Sequence, residues 1–203
     1  MKIICVGRNY ADHIEELKND RPDAPVIFMK PDSALLRPGE DFYMPDFSAD
    51  VHHEIELVVR ISRMGKFIEE KFAHRYYEEI GLGIDFTARD LQSQLKSKGL
   101  PWELAKGFNG SAPVSDFVPK ARFGDLQKLN FSLEVNGEIR QDGNASMMLY
   151  SIDYLISFVS RYFTLKTGDL VFTGTPKGVA TVKKDDLLVG RLEGSEMLRL
   201  RVR

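Results

Sequence analysis

The sequence predicts an α+β fold, a mixed β-sandwich roll with a few peripheral helices. Two observations carry this. Extended segments outnumber helical ones, and the regular strand–helix alternation of a doubly wound fold is absent. A third supports it: Asn136-Gly137 lies between two extended runs, and both residues accept the positive φ of a type I′ hairpin turn.

Lys2–Val6 is a short apolar strand stopped by Gly7, and Ala11–Leu17 is helical. Asn19–Pro25, with two prolines, is a connection, and Val26–Met29 is a second short strand. Val51–Arg60 is extended throughout, with His52, Glu54, Glu56 and Val58 on one face and apolar residues dominating the other. Phe72, Tyr76, Tyr77 and Ile80 recur at helical spacing, and Gly81–Phe86 is strand-like. Thr87 caps a helix running to about Lys98, where Gly99 and Pro101 end it. The second half is mostly sheet. Phe131–Val135 and Glu138–Arg140 form the hairpin, and Ser151–Phe163 is an amphipathic helix capped by Ser151. Leu170–Thr173 is a strand, and Leu187–Leu192 and Met197–Val202 form a last hairpin.

The chain has 203 residues and offers no linker, so one catalytic-sized domain over residues 1–203 is expected. With 28 basic against 30 acidic residues and a pI near 6.1, it lacks the basic footprint of a general nucleic-acid binder. One cysteine cannot form an internal disulfide, which fits a reducing compartment. No apolar run reaches the ~18–20 residues of a membrane span, and the N-terminal run is too short for a signal peptide. A cytoplasmic protein without membrane or nucleic-acid partners is the expectation.

Glu54-Ile55-Glu56 is the most informative local feature. Residues i and i+2 of a strand point the same way, about 6.6–7 Å apart, so the two carboxylates repel unless solvent, a proton or a cation relieves them. Asp85, at the end of a strand-like segment, would complete an all-oxygen ligand set suited to Mg²⁺ or Mn²⁺ rather than zinc. The rival reading makes the glutamates surface charges and Asp85 a turn residue. On a helix, Glu16 lies beside His13 and can fix its tautomer, giving a general base; a plain surface pair has the same spacing. Lys106, among apolar residues and glycines, could polarise a carbonyl or hold a carboxylate, or snorkel from a loop. Gly174-Thr175-Pro176-Lys177-Gly178 offers N–H groups and a hydroxyl to an anion, yet it is neither a P-loop nor a dinucleotide fingerprint, and no Gly-x-Ser-x-Gly elbow occurs.

Six segments occur in a telling order: Gly7-Arg8-Asn9-Tyr10-x-x-His13-x-x-Glu16, Phe28-x-Lys30-Pro31, Glu54-x-Glu56, Gly83-x-Asp85-x-Thr87-x-Arg89-Asp90, Ala105-Lys106-Gly107-Phe108, and Gly168-Asp169 through Thr173-Gly174-Thr175-Pro176-x-Gly178-Val179. Together they resemble the fumarylacetoacetate hydrolase family, in its single-domain branch of acylpyruvate hydrolases and oxaloacetate decarboxylases or tautomerases. Asn109 departs from the Asp that many members carry after Gly-Phe.

The resemblance implies a sandwich roll assembled as a homodimer around one divalent ion, Mg²⁺ with Mn²⁺ or Ca²⁺ able to substitute. Glu54, Glu56 and Asp85 fall on the family's metal ligands, His13 and Glu16 on its catalytic dyad, and Lys106 on its active-site lysine. Arg8, Lys30 and Thr175 fall on substrate-binding positions. The implied activity is on small 2-oxo acids: hydrolysis of acylpyruvates to pyruvate and a carboxylate, or decarboxylation or tautomerisation of oxaloacetate. Isomerisation of 2-hydroxy-diene-dioates is the alternative, and a non-catalytic metal-stabilised dimer a more distant one. Substrate preference is expected to come from side chains near the distal end of the bound acid, in residues 92–102 if that segment closes as a lid, which the sequence does not decide.

Overall fold

The computed structural model describes residues 1–16 and 20–203. The N-terminal half runs β1 (Ile3–Gly7), α1 (Ala11–Glu16), β2 (Val26–Lys30), β3 (Leu35–Leu36), β4 (Val51–His53), β5 (Ile55–Ile61), α2 (Glu70–Ala73) and β6 (Tyr77–Ile84). Next come β7 (Thr87–Ala88), α3 (Arg89–Ser97), α4 (Glu103–Lys106), β8 (Ala112–Pro113) and β9 (Val118–Pro119). The remainder is β10 (Asn130–Val135), β11 (Glu138–Asn144), α5 (Ile152–Tyr162), β12 (Leu170–Phe172), β13 (Ala180–Thr181), β14 (Leu187–Leu192) and β15 (Ser195–Arg201).

Two larger sheets dominate. One has the order β2-β1-β12-β5-β6-β9, the other β11-β10-β14-β15. Within the six-stranded sheet β1 and β12 run parallel and the other pairs antiparallel. The central strand β5 is buried on both faces along most of its length. Ile55, Leu57, Val59 and Ile61 meet Phe131, Leu133, Leu188 and Leu192 of the second sheet together with Ile152, Ile156 and Val159 of α5. Val58 faces the other way, into a smaller core with Ile3, Cys5, Phe28 and Phe172. Glu56 shares the Val58 face, so one carboxylate points away from the main core toward the layer beneath α3 and α4.

Both hairpins form as expected. Asn136 and Gly137 take φ of 54° and 84°, and Glu193 and Gly194 take 47° and 75°. Helix α1 begins at Ala11, but Leu17 and Asn19, the expected helix end and the start of the connection, lie outside the described residues.

Three expectations are corrected. Val51–Arg60 is not one strand: Glu54 separates β4, which pairs with β13 and β7, from β5, which pairs with β12 and β6. The Ile55 N–H leaves the ladder to donate to Gln141 Oε1 at 3.0 Å, and there the chain changes sheet. The helical spacing of Phe72, Tyr76, Tyr77 and Ile80 yields only the single turn of α2. Pairing with β5 takes Tyr77–Ile84 into a strand, with Arg60 donating to Glu79 across the ladder at 2.8 Å. Thr87 is not a helix cap: it lies in β7, and its hydroxyl donates to Asp85 O at 3.2 Å.

Among the described residues, no helix is long and apolar enough to cross a membrane. Helix α5 carries the cap that its sequence announces, Ser151 Oγ accepting from Tyr154 N at 3.1 Å. Ser151→Ala should therefore lower the unfolding free energy by about 1 kcal/mol, read as a shift of the urea midpoint at unchanged slope.

Candidate active site

The three acids arrive from three places: Glu54 from the corner between β4 and β5, Glu56 from inside β5, and Asp85 from just beyond β6. Register pairs Ile55 with Ile84 and Glu56 with Gly83. Asp85 N donates to Glu54 O at 2.8 Å, which locks the two strand ends together. Glu54, Glu56 and Asp85 are 5%, 2% and 1% exposed, and one oxygen of each lies within 4.8 Å of the others.

Burying three carboxylates side by side demands countercharge. Lys106, at the end of α4, donates to Glu54 Oε2 at 2.8 Å and to Asp85 Oδ2 at 2.6 Å. Arg89, at the start of α3, donates to Glu54 Oε1. Burial alone would raise the Glu54 pKa, but Lys106, Arg89 and His13 outweigh it and hold the group well below the carboxylate range. The same pairing outweighs burial at Lys106 and raises its pKa, through Asp85 first and then Glu54. Glu56 goes the other way: burial, reinforced by Asp85 and Glu54, pushes it well above the carboxylate range, against the N–H of Gly174 that donates to its Oε2 at 2.7 Å.

These residues fit a hard divalent cation. The donor set is all oxygen, and Glu56 carries a charge that its surroundings disfavour without a cation. Asp85 Oδ1 accepts no hydrogen bond, although Lys30 Nζ lies 2.7 Å from it as an ion-pair partner.

Lys30 is a correction. Expected at the substrate, it lies beneath Asp85, 2% exposed, and is absent from the cavity wall. Its ammonium is saturated by Phe86 O, Lys106 O, and the carbonyl and hydroxyl of Ser111, which leaves none of its three donors for a ligand. It therefore positions Asp85 and the Lys106 backbone.

The cavity above the carboxylates has a volume of about 460 Å³, its open mouth included. His13 and Lys106 reach it, as do Arg8 and Thr175. His13 is 5% exposed, with Nδ1 3.2 Å from Glu16 Oε2. Glu16 is itself braced, its Oε1 accepting from Gly178 N at 3.0 Å. With Nδ1–H given to Glu16, Nε2 is the nitrogen left to take a proton. Arg8 holds a left-handed backbone, φ 60°, unusual for a side chain of its size. Thr175 lines the wall, but its hydroxyl donates to Ile55 O and accepts from Gln141 Nε2, both at 2.8 Å, so the hydroxyl is structural. Gln92, Lys96 and Trp102 of the candidate lid segment also line the cavity.

Several residues that hold the site were given no role in the sequence analysis. Gln141, fully buried on β11, holds the Thr175 loop through Thr175 Oγ1 and Pro176 O and receives His53 Nδ1 at 2.9 Å. Asn9 Nδ2 donates to Thr173 O at 2.7 Å and to Tyr150 O at 3.0 Å. Asn9 stands in the Gly7-Arg8-Asn9-Tyr10 segment, while no local pattern marks Gln141. Arg89, Gln92 and Lys96 did leave a signal, polar residues three and seven apart on one helix face just after Asp85. Lys30→Met should leave Asp85 short of a countercharge and cost about 3–5 kcal/mol in chemical denaturation.

Residues 2–203 match the family model described as fumarylacetoacetate (FAA) hydrolase C-terminal. The chain is 46% identical over 200 residues to the mitochondrial oxaloacetate tautomerase FAHD1 of Rattus norvegicus, covering 98% of this chain and 90% of that protein. It is 42% identical over 197 residues to the oxaloacetate tautomerase YcgM of Escherichia coli (strain K12), covering 97% and 90%. The crystal structure of fumarylpyruvate hydrolase from Pseudomonas aeruginosa in complex with Mn²⁺ and pyruvate superposes with a TM-score of 0.95 at 36% identity, over 100% of this chain and 89% of that one. A buried acidic triad and a braced histidine on this roll, together with a match across nearly every residue, place the chain in the fumarylacetoacetate hydrolase family.

Proposed function

We propose that the protein is a divalent-metal-dependent enzyme of small 2-oxo acids. It would hydrolyse acylpyruvates to pyruvate and a carboxylate, decarboxylate or tautomerise oxaloacetate, or do both. The observation that carries this is the convergence of Glu54, Glu56 and Asp85 at the floor of a cavity whose wall holds His13, braced by Glu16. The oxaloacetate tautomerases and the pyruvate-bound hydrolase among its relatives support the substrate class. Mg²⁺ is the proposed resident ion, with Mn²⁺ or Ca²⁺ able to replace it. A single catalytic domain, acting as a homodimer in the cytoplasm, completes the proposal.

When bound, the ion supplies Lewis-acid polarisation of the substrate's 2-oxo group. The chain's own residues then act in named roles. Glu54, Glu56 and Asp85 hold the ion. His13 Nε2 takes a proton from water as its oxygen attacks the 4-acyl carbonyl. The C3–C4 bond breaks, its electron pair passes to C3 of the pyruvate enolate, and a proton returned there completes pyruvate. Oxaloacetate decarboxylation needs no attacking water: the same bond breaks, CO₂ leaves, and C3 is protonated. Tautomerisation moves only a proton between C3 and the C2 oxygen. Lys106, with two of its three donors on Glu54 and Asp85, has one left for the reacting carbonyl.

His13→Ala should lower kcat for acetylpyruvate hydrolysis by about 10²–10⁴-fold while Mn²⁺ binding by calorimetry stays intact. Conversion of a dienoate without pyruvate release from any acylpyruvate or oxaloacetate would overturn the hydrolase and decarboxylase roles in favour of isomerisation. Glu56→Gln removes a carboxylate that burial disfavours. The metal-free variant should melt no lower than the wild type, but lose the Mn²⁺-dependent rise in melting temperature.

A further inference from the structure

The cations around the cavity are layered. At its floor Lys106 and Arg89 are engaged with carboxylates, and Lys30 beneath them is saturated by Asp85 and carbonyls. Further out the wall carries Arg8 and then Lys96, an exposed residue that still lines the cavity. Helix α3 sets this up. Leu91 and Leu95 pack toward Ala88 and Ala105, which anchors the helix and turns Arg89, Gln92 and Lys96 along the cavity face. Arg89 donates to Gln92 Oε1 at 2.7 Å, which stiffens the first turn beneath Lys96.

Lys96 is exposed and its charge stands at this mouth. It stands near two guanidiniums, and partial burial followed by the charges of Arg8 and Arg89 lowers its pKa. Like charges gathered on one wall repel one another and draw an anion from solution. Under the proposed function, the floor of the cavity would take the carboxylate and oxo group shared by every 2-oxo acid. An anion at the mouth therefore belongs to the far end of the same substrate.

We infer that Lys96 is a specificity-determining residue that receives the distal carboxylate of a 2-oxo dicarboxylate such as oxaloacetate, with Arg8 beside it. This rests on the proposed function and adds a preference within it, for diacids over acids with an uncharged end. A monocarboxylate such as acetylpyruvate presents a methyl group there and gains nothing from the lysine.

The test compares wild type, Lys96→Met and Lys96→Arg, all expected to fold because the side chain is exposed. With Mn²⁺ present, calorimetry measures binding of 3,3-difluorooxaloacetate, which cannot enolise, and of pyruvate. Steady-state assays measure kcat/KM for oxaloacetate and acetylpyruvate. Lys96→Met should weaken difluorooxaloacetate binding about tenfold and lower kcat/KM for oxaloacetate through KM, with pyruvate and acetylpyruvate unchanged and Lys96→Arg close to wild type. Equal losses for diacid and monoacid ligands, or no loss for either, would overturn the inference. A wild type that turns over neither acid, yet binds the diacid in a Lys96-dependent way, would sink the proposed reaction and leave the inference standing.

Discussion

Three carboxylates buried within one oxygen shell are the constraint around which the rest of the structure is arranged. Isolated charges in such a place would be prohibitive, so each acid draws a partner from a different part of the chain. Glu54 draws Arg89 from α3 and Lys106 from α4; Asp85 draws Lys106 and, from below, Lys30 of β2. Glu56 draws a backbone N–H from the Thr173–Gly178 segment. The short helices α3 and α4 are thus held both by these contacts and by their small apolar cluster. Glu56, disfavoured as an anion by the same burial, is where the cluster most needs a cation.

A single backbone segment joins the acidic floor to the proposed base. Gly174 N–H binds Glu56, and Gly178 N–H binds Glu16, which orients His13. Asn9 grips the segment at Thr173 O and Gln141 grips it at Thr175 and Pro176. Glycine is required at both ends. Gly174 has φ 101°, and a Cβ there would sit 2.7 Å from Asn9 Cβ; Gly178 has φ 96°, and a Cβ would sit 2.1 Å from Arg140 O. The proposed metal-binding and proton-moving groups are therefore both held by one stretch of chain, which ties their relative positions to each other.

Much of this was legible in the residues. Period-two alternation put Glu54 and Glu56 on one side, helical spacing put Glu16 beside His13, and Asn136-Gly137 announced its hairpin. Tyr77–Ile80 was misread because its aromatic spacing suits a helix in isolation, and only the ladder with β5 joins it to the extended Gly81–Ile84 as one strand. Lys30 was misplaced for a related reason: nothing beside it in sequence shows that the carbonyls of Phe86, Lys106 and Ser111 converge on its ammonium.

What the sequence determined by itself is therefore local: which residues share a strand face or a helix face, where turns fall, and which acids and bases stand in reach of one another through the backbone period. Tertiary structure decided the rest. It split the chain at Glu54 between two sheets, turned Lys30 from a candidate ligand-binding residue into a buried support for Asp85, and recruited Asn9 and Gln141 to hold a loop more than thirty residues away from either. The physical reason is that burial and countercharge depend on which surfaces meet, and these partners are separated by long stretches of chain that no local periodicity spans.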